Sequence, residues 1–217
     1  MFKVAIFDLD GTLLNTLDDL ANACNYALNK FSFPTHKVEK YKKFIGNGIY
    51  KLVERAVPNN KKDKETVEKV LKTFSDYYNE HMIDMTKPYD GIVDLLDELR
   101  LKGIKLAVVS NKKHEFAMEI VEKYFGDRFD IVFGHRDKYK EKPDPTSVLE
   151  VIDKFNILKS ECIYIGDSNV DILTAKNAGI KSVGVSWGFR GREELANEGA
   201  NYLADNNIDL LNIILNS

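Results

Sequence analysis

The chain has 217 residues, 44% of them hydrophobic and 30% charged, with a formal net charge of -3. Near-balanced charge with dispersed Lys and Arg excludes a polyanion-binding surface, so no nucleic-acid partner is expected. The length fits one medium domain or a domain carrying a large insertion. Cys24 and Cys162 form no CxxC pair. Cys162, inside the apolar run CIYIG, reads as a buried, reduced thiol, and the cysteine usage suits a reducing cytoplasm. Asp8 and Asp10 interrupt the first apolar run, so neither a signal peptide nor a membrane span is expected.

The first predicted element is the strand in VAIFDLDGTL, Val4 to Leu13. From Thr16 to Met85 the periodicity is helical. Leu17, Leu20, Ala21, Cys24, Leu28 and Phe31 line one helix; Ile49, Leu52, Val53 and Ala56 a second; Val67, Val70, Leu71, Phe74, Tyr77 and Tyr78 a third. The mixed-sign run KKDKE, Lys61 to Glu65, reads as a solvated loop or a helix start. Past Pro88, short Val- and Ile-rich runs alternate with amphipathic stretches. The runs are KLAVVSN from Lys105, DIVFG from Asp130, CIYIGDS from Cys162, SVGVSW from Ser182 and ANYLAD from Ala200. The helical faces between them are Ile92, Leu95, Leu96 and Leu99; Phe116, Ile120, Val121 and Tyr124; and Val148, Val151, Ile152 and Phe155. This alternation predicts an α/β fold: a Rossmann-like doubly wound parallel sheet with an inserted α-helical cap. The expected boundaries are 1–15 and 87–217 for the core and 16–86 for the cap, with Pro88 and Gly91 marking the return.

Chemistry gathers at predicted strand ends. Side chains two apart on an extended strand share a face, so Asp8 and Asp10 point into the space beyond the first strand, where open α/β sheets bind ligands. Asp167 ends another strand and Asp171 follows in the first turn of the next helix. Two carboxylates at ~4 Å repel by ~4 kcal/mol at an effective dielectric of ~20. A hard divalent cation relieves this, and an all-oxygen set suits Mg2+. No His or Cys cluster argues for zinc. His36, His81, His114 and His135 read as surface or structural residues, and Trp187 as core or pocket wall. Ser110 and Asn111 offer a hydroxyl and a backbone N–H to anionic oxygens, or cap the next helix. Lys142 lies in the stiff KEKPDP loop; taken alone it is a plain surface lysine.

Asp-x-Asp-Gly-Thr after strand one, Ser at a middle strand end, then Lys, then Gly-Asp with an Asp four on: this order resembles the haloacid dehalogenase superfamily. IGNG (Ile45 to Gly48), ERA (Glu54 to Ala56) and SWGFRGREEL (Ser186 to Leu195) are similar to stretches of its phosphoglycolate phosphatase group. The resemblance implies a Mg2+-dependent phosphatase of small phosphate monoesters working through a phosphoaspartate, with phosphoglycolate the best-fitting substrate. It implies Asp8 as nucleophile and Asp10 as acid and base, with its carbonyl a metal ligand. Asp8 and Asp167 become carboxylate ligands, with Asp171 behind them, and Ser110, the Asn111 N–H and Lys142 hold phosphoryl oxygens. Gly11 turns the loop and Thr12 braces it or touches ligand. Gly46, Asn47 and Gly48 serve as a helix–helix turn or as a substrate loop. Arg55 and Arg190 are candidate anion ligands or solvated residues. Where relatives often carry Asp, this chain has Asn15, which touches the cap hinge and not the chemistry.

Other readings remain at this level. A pyrophosphatase, a nucleotide phosphatase and a β-phosphoglucomutase-like phosphotransferase share these motifs. A phospho-acceptor signalling domain shares an acidic cluster and Mg2+, but lacks a helical block after strand one. A monomer or homodimer without membrane association is expected.

Overall fold

A computed structural model of the protein describes residues 2–137 and 139–216. The chain forms two compact units, Met1–Leu14 with Pro88–Ser217, and Asn15–Lys87. It begins with β1 (Val4–Phe7) and the two-residue β2 (Leu14–Asn15). Helices α1 (Leu17–Lys30), α2 (Val38–Tyr41), α3 (Gly48–Ala56) and α4 (Lys64–His81) follow, and then β3 (Lys87–Pro88), which pairs with β2. Strict alternation comes next: α5 (Ile92–Leu101), β4 (Lys105–Lys113), α6 (His114–Phe125), β5 (Ile131–His135), α7 (Thr146–Phe155) and β6 (Cys162–Gly166). The chain closes with α8 (Asn169–Ala178), β7 (Lys181–Val185), α9 (Arg192–Asn197), β8 (Tyr202–Ala204) and α10 (Asn207–Asn216). Among the described residues, no helix is long and apolar enough to cross a membrane.

In the first unit six strands lie in the order β5-β4-β1-β6-β7-β8, all parallel. The runs of β1, β4, β6 and β7 are buried on both faces, as helix-covered parallel strands require, while the edge strands β5 and β8 are partly buried. On one face Val4, Ile6, Val109 and Tyr164 pack against Val148, Val151 and Ile152 of α7 and Ala175 and Ala178 of α8. Phe7, pointing the other way by alternation, meets Phe129 edge-to-face, and Phe129 meets Phe125 at the end of α6. The chain winds outward from β1 to β4 and β5, then returns to β6 on the other side of β1. This is the doubly wound order expected from the sequence, and its crevice opens beyond the C-terminal ends of β1, β4 and β6.

Two local expectations change. Neither Ser110 nor Asn111 caps the next helix: β4 runs on to Lys113, which is the residue preceding α6. The register between β4 and β5 shifts after Val109, and pairing resumes at Lys113 and His135, so the chain stays extended. Phe31 lies just past the end of α1.

The second unit is helical. Leu17, Leu20, Ala21, Cys24 and Leu28 form the buried face of α1; Val67, Val70, Phe74 and Tyr78 that of α4; Leu52, Val53 and Ala56 that of α3. Lys61 to Glu65 holds a helix start, with the Asp63 carboxylate accepting the Thr66 N–H at 2.9 Å. Buried Asp19 accepts the backbone N–H groups of Met85 and Thr86, tying α1 to the segment that leaves the unit.

Candidate active site

Parallel register decides what meets at the strand tips. The Asp8 N–H donates to the Ile165 carbonyl at 2.8 Å, prolonging the β1–β6 ladder past Phe7. Asp8 and Asp167 therefore leave adjacent strand ends together. The chain then turns sharply: the N–H groups of Thr12, Leu13 and Leu14 all converge on the Leu9 carbonyl. Gly11 makes this possible with φ +87°, and a Cβ there would lie 2.4 Å from an Asp167 oxygen. Buried Thr12 donates its hydroxyl to Asp167 Oδ1 at 3.4 Å, and its carbonyl accepts from Trp187 Nε1 at 3.0 Å. The Phe189 N–H donates to Asp167 Oδ2 at 2.7 Å.

One oxygen from each of Asp8, Asp167 and Asp171 lies within 4.8 Å of the others. Asp171 is held in place from two sides. Its Oδ2 accepts from the Ser168 N–H and hydroxyl at 3.0 and 2.7 Å, the reciprocal cap of α8. Its Oδ1 lies 2.7 Å from Lys142 Nζ. The same ammonium lies 2.9 Å from Asp8 Oδ1 and donates to the Tyr164 hydroxyl at 2.9 Å. Lys142 thus donates hydrogen bonds to Asp171 and Tyr164, while Asp8 Oδ1 sits at ion-pair distance with no hydrogen-bond partner of its own. Tyr164 in turn donates to the Val109 carbonyl at 2.7 Å, reaching across β1 from β6 to β4.

Asn111 also serves Lys142: its Oδ1 accepts the Lys142 N–H at 2.7 Å and its Nδ2 donates to the Lys142 carbonyl at 3.1 Å. The loop carrying Lys142 is thereby fixed to the end of β4. Ser110 is buried beside it, and its Oγ accepts the Lys112 N–H at 3.3 Å. Asp10 stands apart from the three-carboxylate cluster. Its Oδ1 and Oδ2 lie 3.0 and 3.3 Å from Nζ of Lys112, a side chain only 2% exposed.

The electrostatics follow from burial. Burial lifts the Asp8 carboxyl to about 7, with Lys142 opposing and Asp171 adding to the rise. Burial, then the Asp171 and Asp8 charges, push Asp167 well above the usual carboxylate range. Burial alone would lower the Lys142 ammonium, but Asp171 and Asp8 outweigh it and hold that group well above its ordinary value. Three carboxylates against this one ammonium leave two formal negative charges in excess. A divalent cation would supply that charge, and an oxygen-only donor set fits a hard ion. Asp8 Oδ1 is buried with no hydrogen-bond partner, while Asp171 is drawn to Lys142, so Asp8, with Asp167 beside it, would be the carboxylate pair to hold such an ion.

Over residues 5–185 the sequence matches the haloacid dehalogenase-like hydrolases. The chain belongs to this family. A phosphoglycolate phosphatase of Vibrio parahaemolyticus is 32% identical, covering 98% of this chain and 96% of its own length. Phosphoglycolate phosphatase 1 of Pseudomonas aeruginosa is 31% identical over 96% of this chain and 78% of its own length. The solved structure of a provisionally assigned phosphoglycolate phosphatase from Lactobacillus delbrueckii subsp. bulgaricus superposes with a TM-score of 0.95. It is 35% identical, covering 100% of this chain and 99% of that one.

In this haloacid dehalogenase-like hydrolase the strand tips bring together Asp8, Gly11, Thr12, Ser110, Asn111, Lys142, Asp167 and Asp171, with Asp10 beside them on Lys112. Arg190 pairs with Glu194 at 3.1 Å, and its charge also favours ionised Asp167. The remaining candidates belong to the helical unit. Gly46 and Gly48 have φ +119° and +74°, and Asn47 precedes α3, so the segment is a turn that glycine makes possible. Arg55 donates to the Phe44 carbonyl at 2.8 Å and to Asn47 Oδ1 at 2.7 Å, so its guanidinium holds this turn. Lys112 and Tyr164 were not anticipated. A lysine after Ser-Asn reads as the start of a loop, and a tyrosine among Ile and Cys reads as packing. The available signal for Tyr164 was that a buried phenol needs a partner for its hydroxyl.

Proposed function

We propose that this hydrolase is a phosphatase of small phosphate monoesters, that 2-phosphoglycolate is its substrate, and that the phosphoryl group passes through Asp8. The observation that carries the reading is the Asp8–Lys142–Asp171 cluster beside Asp167 at the tips of β1 and β6. The substrate comes from what the relatives are named. An Asp8 carboxylate oxygen attacks phosphorus while the bond to the leaving oxygen breaks. Asp10 gives that oxygen its proton, and the product alcohol departs. Asp10 then takes a proton from water, whose oxygen attacks the same phosphorus, releasing phosphate and restoring the Asp8 carboxylate. Lys142 aims Asp8 and balances part of its charge. The Ser110 hydroxyl and the Asn111 N–H receive phosphoryl oxygens, and Asn111 through its side chain also positions Lys142. Thr12 and Gly11 fix the position of Asp167. Asp8, Asp167 and the Asp10 carbonyl would hold a Mg2+ ion, which would supply positive charge to the phosphoryl oxygens.

Substrate choice is assigned to the helical unit, Asn15–Lys87, acting as a cap. Gly46, Asn47 and Gly48 form the loop proposed to select the leaving group, and Arg55 acts through the shape of that loop. Arg190 is the proposed anion ligand of the core. The enzyme works on a free small molecule in the cytoplasm, as a monomer or homodimer.

The reading is tested by kcat/KM with Mg2+ for 2-phosphoglycolate, pyrophosphate, nucleoside monophosphates and β-glucose 1-phosphate. Phosphoglycolate should lead the series, and Asp8→Asn should abolish turnover of all of them. A higher constant for pyrophosphate would replace the substrate assignment. An Asp8→Asn variant with most of its activity would remove the nucleophile.

A further inference from the structure

We propose that Lys112 is the positioning residue of Asp10: it aims this carboxyl for proton transfer to the leaving group. The inference rests on the acid–base role given to Asp10 above and extends it to a side chain to which no role has been given.

A lysine is rarely buried without a dedicated partner. The Lys112 side chain is 2% exposed and its ammonium reaches both oxygens of Asp10, at 3.0 and 3.3 Å. Its backbone N–H donates to Ser110 Oγ. One residue therefore ties the carboxyl that follows β1 to the hydroxyl near the end of β4. The neighbouring cluster uses a different cation: Lys142 serves Asp8 and Asp171. Lys142 thus holds the aspartate aimed at phosphorus, and Lys112 the one aimed at the leaving oxygen.

A buried ion pair is a poor stabilising device, because desolvation offsets most of its Coulomb energy. Two apolar side chains would join these strand tips at least as well. A carboxyl that must stand at one point relative to a leaving oxygen does need such a fixed partner. The contact also survives proton transfer. A neutral carboxyl keeps one oxygen as acceptor for the ammonium while the other carries the proton.

Leaving-group dependence separates this role from simple support. kcat/KM reports the steps through departure of the first product. An alkoxide such as glycolate needs the proton then, and p-nitrophenolate hardly does. Lys112→Met, which keeps length and packing, should lower kcat/KM for 2-phosphoglycolate roughly 10- to 100-fold. For p-nitrophenyl phosphate the loss should stay under about threefold, since protonation contributes little there. Lys112→Arg should recover part of the loss on phosphoglycolate alone. Equal losses on both esters, or no loss on either, would overturn the inference. Asp10→Asn serves as the control. If Asp10→Asn shows the leaving-group signature and the Lys112 variants do not, this inference fails and the acid role stands. If Asp10→Asn impairs both esters equally, the acid role and the inference fail together. Should the Met variant not fold, as judged by far-ultraviolet circular dichroism, Lys112→Gln is read in the same way.

Discussion

The Lys142 ammonium meets three groups: Asp8 at ion-pair distance, and Asp171 and Tyr164 through hydrogen bonds. The third contact uses no charge, which makes it the cleanest to remove. Tyr164→Phe keeps the ring in the core and deletes only the hydroxyl, leaving one Lys142 donor and the Val109 carbonyl without it. Leaving such buried groups unmatched costs about 1–3 kcal/mol, so denaturant unfolding should move by that amount. Turnover should fall several-fold with KM unchanged, because Lys142 aims the nucleophile and Tyr164 aims Lys142. At this scale the sequence was informative wherever spacing carried the signal. Asp167 with Asp171 is legible because first-turn geometry follows from local pattern; Asp10, expected to share a face with Asp8, instead leaves the cluster for Lys112 because the chain turns after Leu9. Lys112 and Tyr164 are not, because each acts on a partner 102 or 22 residues away, which only the β1–β4–β6 arrangement brings near. The side-chain role of Asn111 was hidden for the same reason: its partner, the Lys142 backbone, is 31 residues away.

The elements deliver these groups through strand register and tight turns. The six strands and the helices α5, α6 and α7 were readable because buried parallel strands give short continuous Val/Ile runs and amphipathic helices a 3.6-residue period; α9, at six residues, is too short to show that period. The continuation of β4 to Lys113 was not, because Asn-Lys-Lys carries no apolar signal and the strand is held there by pairing with His135. Close packing around Asp167 gives an element-level prediction. A Cβ on Gly188 would lie 2.3 Å from the Asp167 Cβ and 2.4 Å from the Gly11 carbonyl. Since backbone cannot yield as a flexible side chain does, Gly188→Ala should push the loop after β7 off Asp167. Activity should fall at least about tenfold, with a weaker response to added Mg2+ in a titration of turnover, since a misplaced ligand or its support costs ~10- to 100-fold.

For the whole molecule the acidic cluster links stability to pH and to metal. Burial raises Asp8 from 3.8 to about 7 in the folded, metal-free protein. Between those values the folded chain holds a proton that the unfolded chain has lost. Its contribution to stability is therefore complete below about 3.8 and disappears as pH rises through about 7. Asp167 acts in the same direction. Metal-free protein should thus lose melting temperature as pH rises from 4 to 7, apart from other titrating groups; an Asp8→Asn variant should flatten that slope. Cation and proton compete for these oxygens, so Mg2+ should raise the melting temperature more at pH 8 than at pH 5.5. An equal shift at both pH values would place the ion elsewhere.

The central claim is that phosphorus is transferred to one particular oxygen donor. It is tested most directly by acid-quenching the enzyme with Mg2+ and 2-phosphoglycolate on the millisecond scale, then mapping phosphopeptides by mass spectrometry. The account predicts a single transient, acid-stable acyl phosphate on the peptide containing Asp8, absent from Asp8→Asn. Full turnover with no labelled enzyme at any quench time, or with label on another residue, would contradict it.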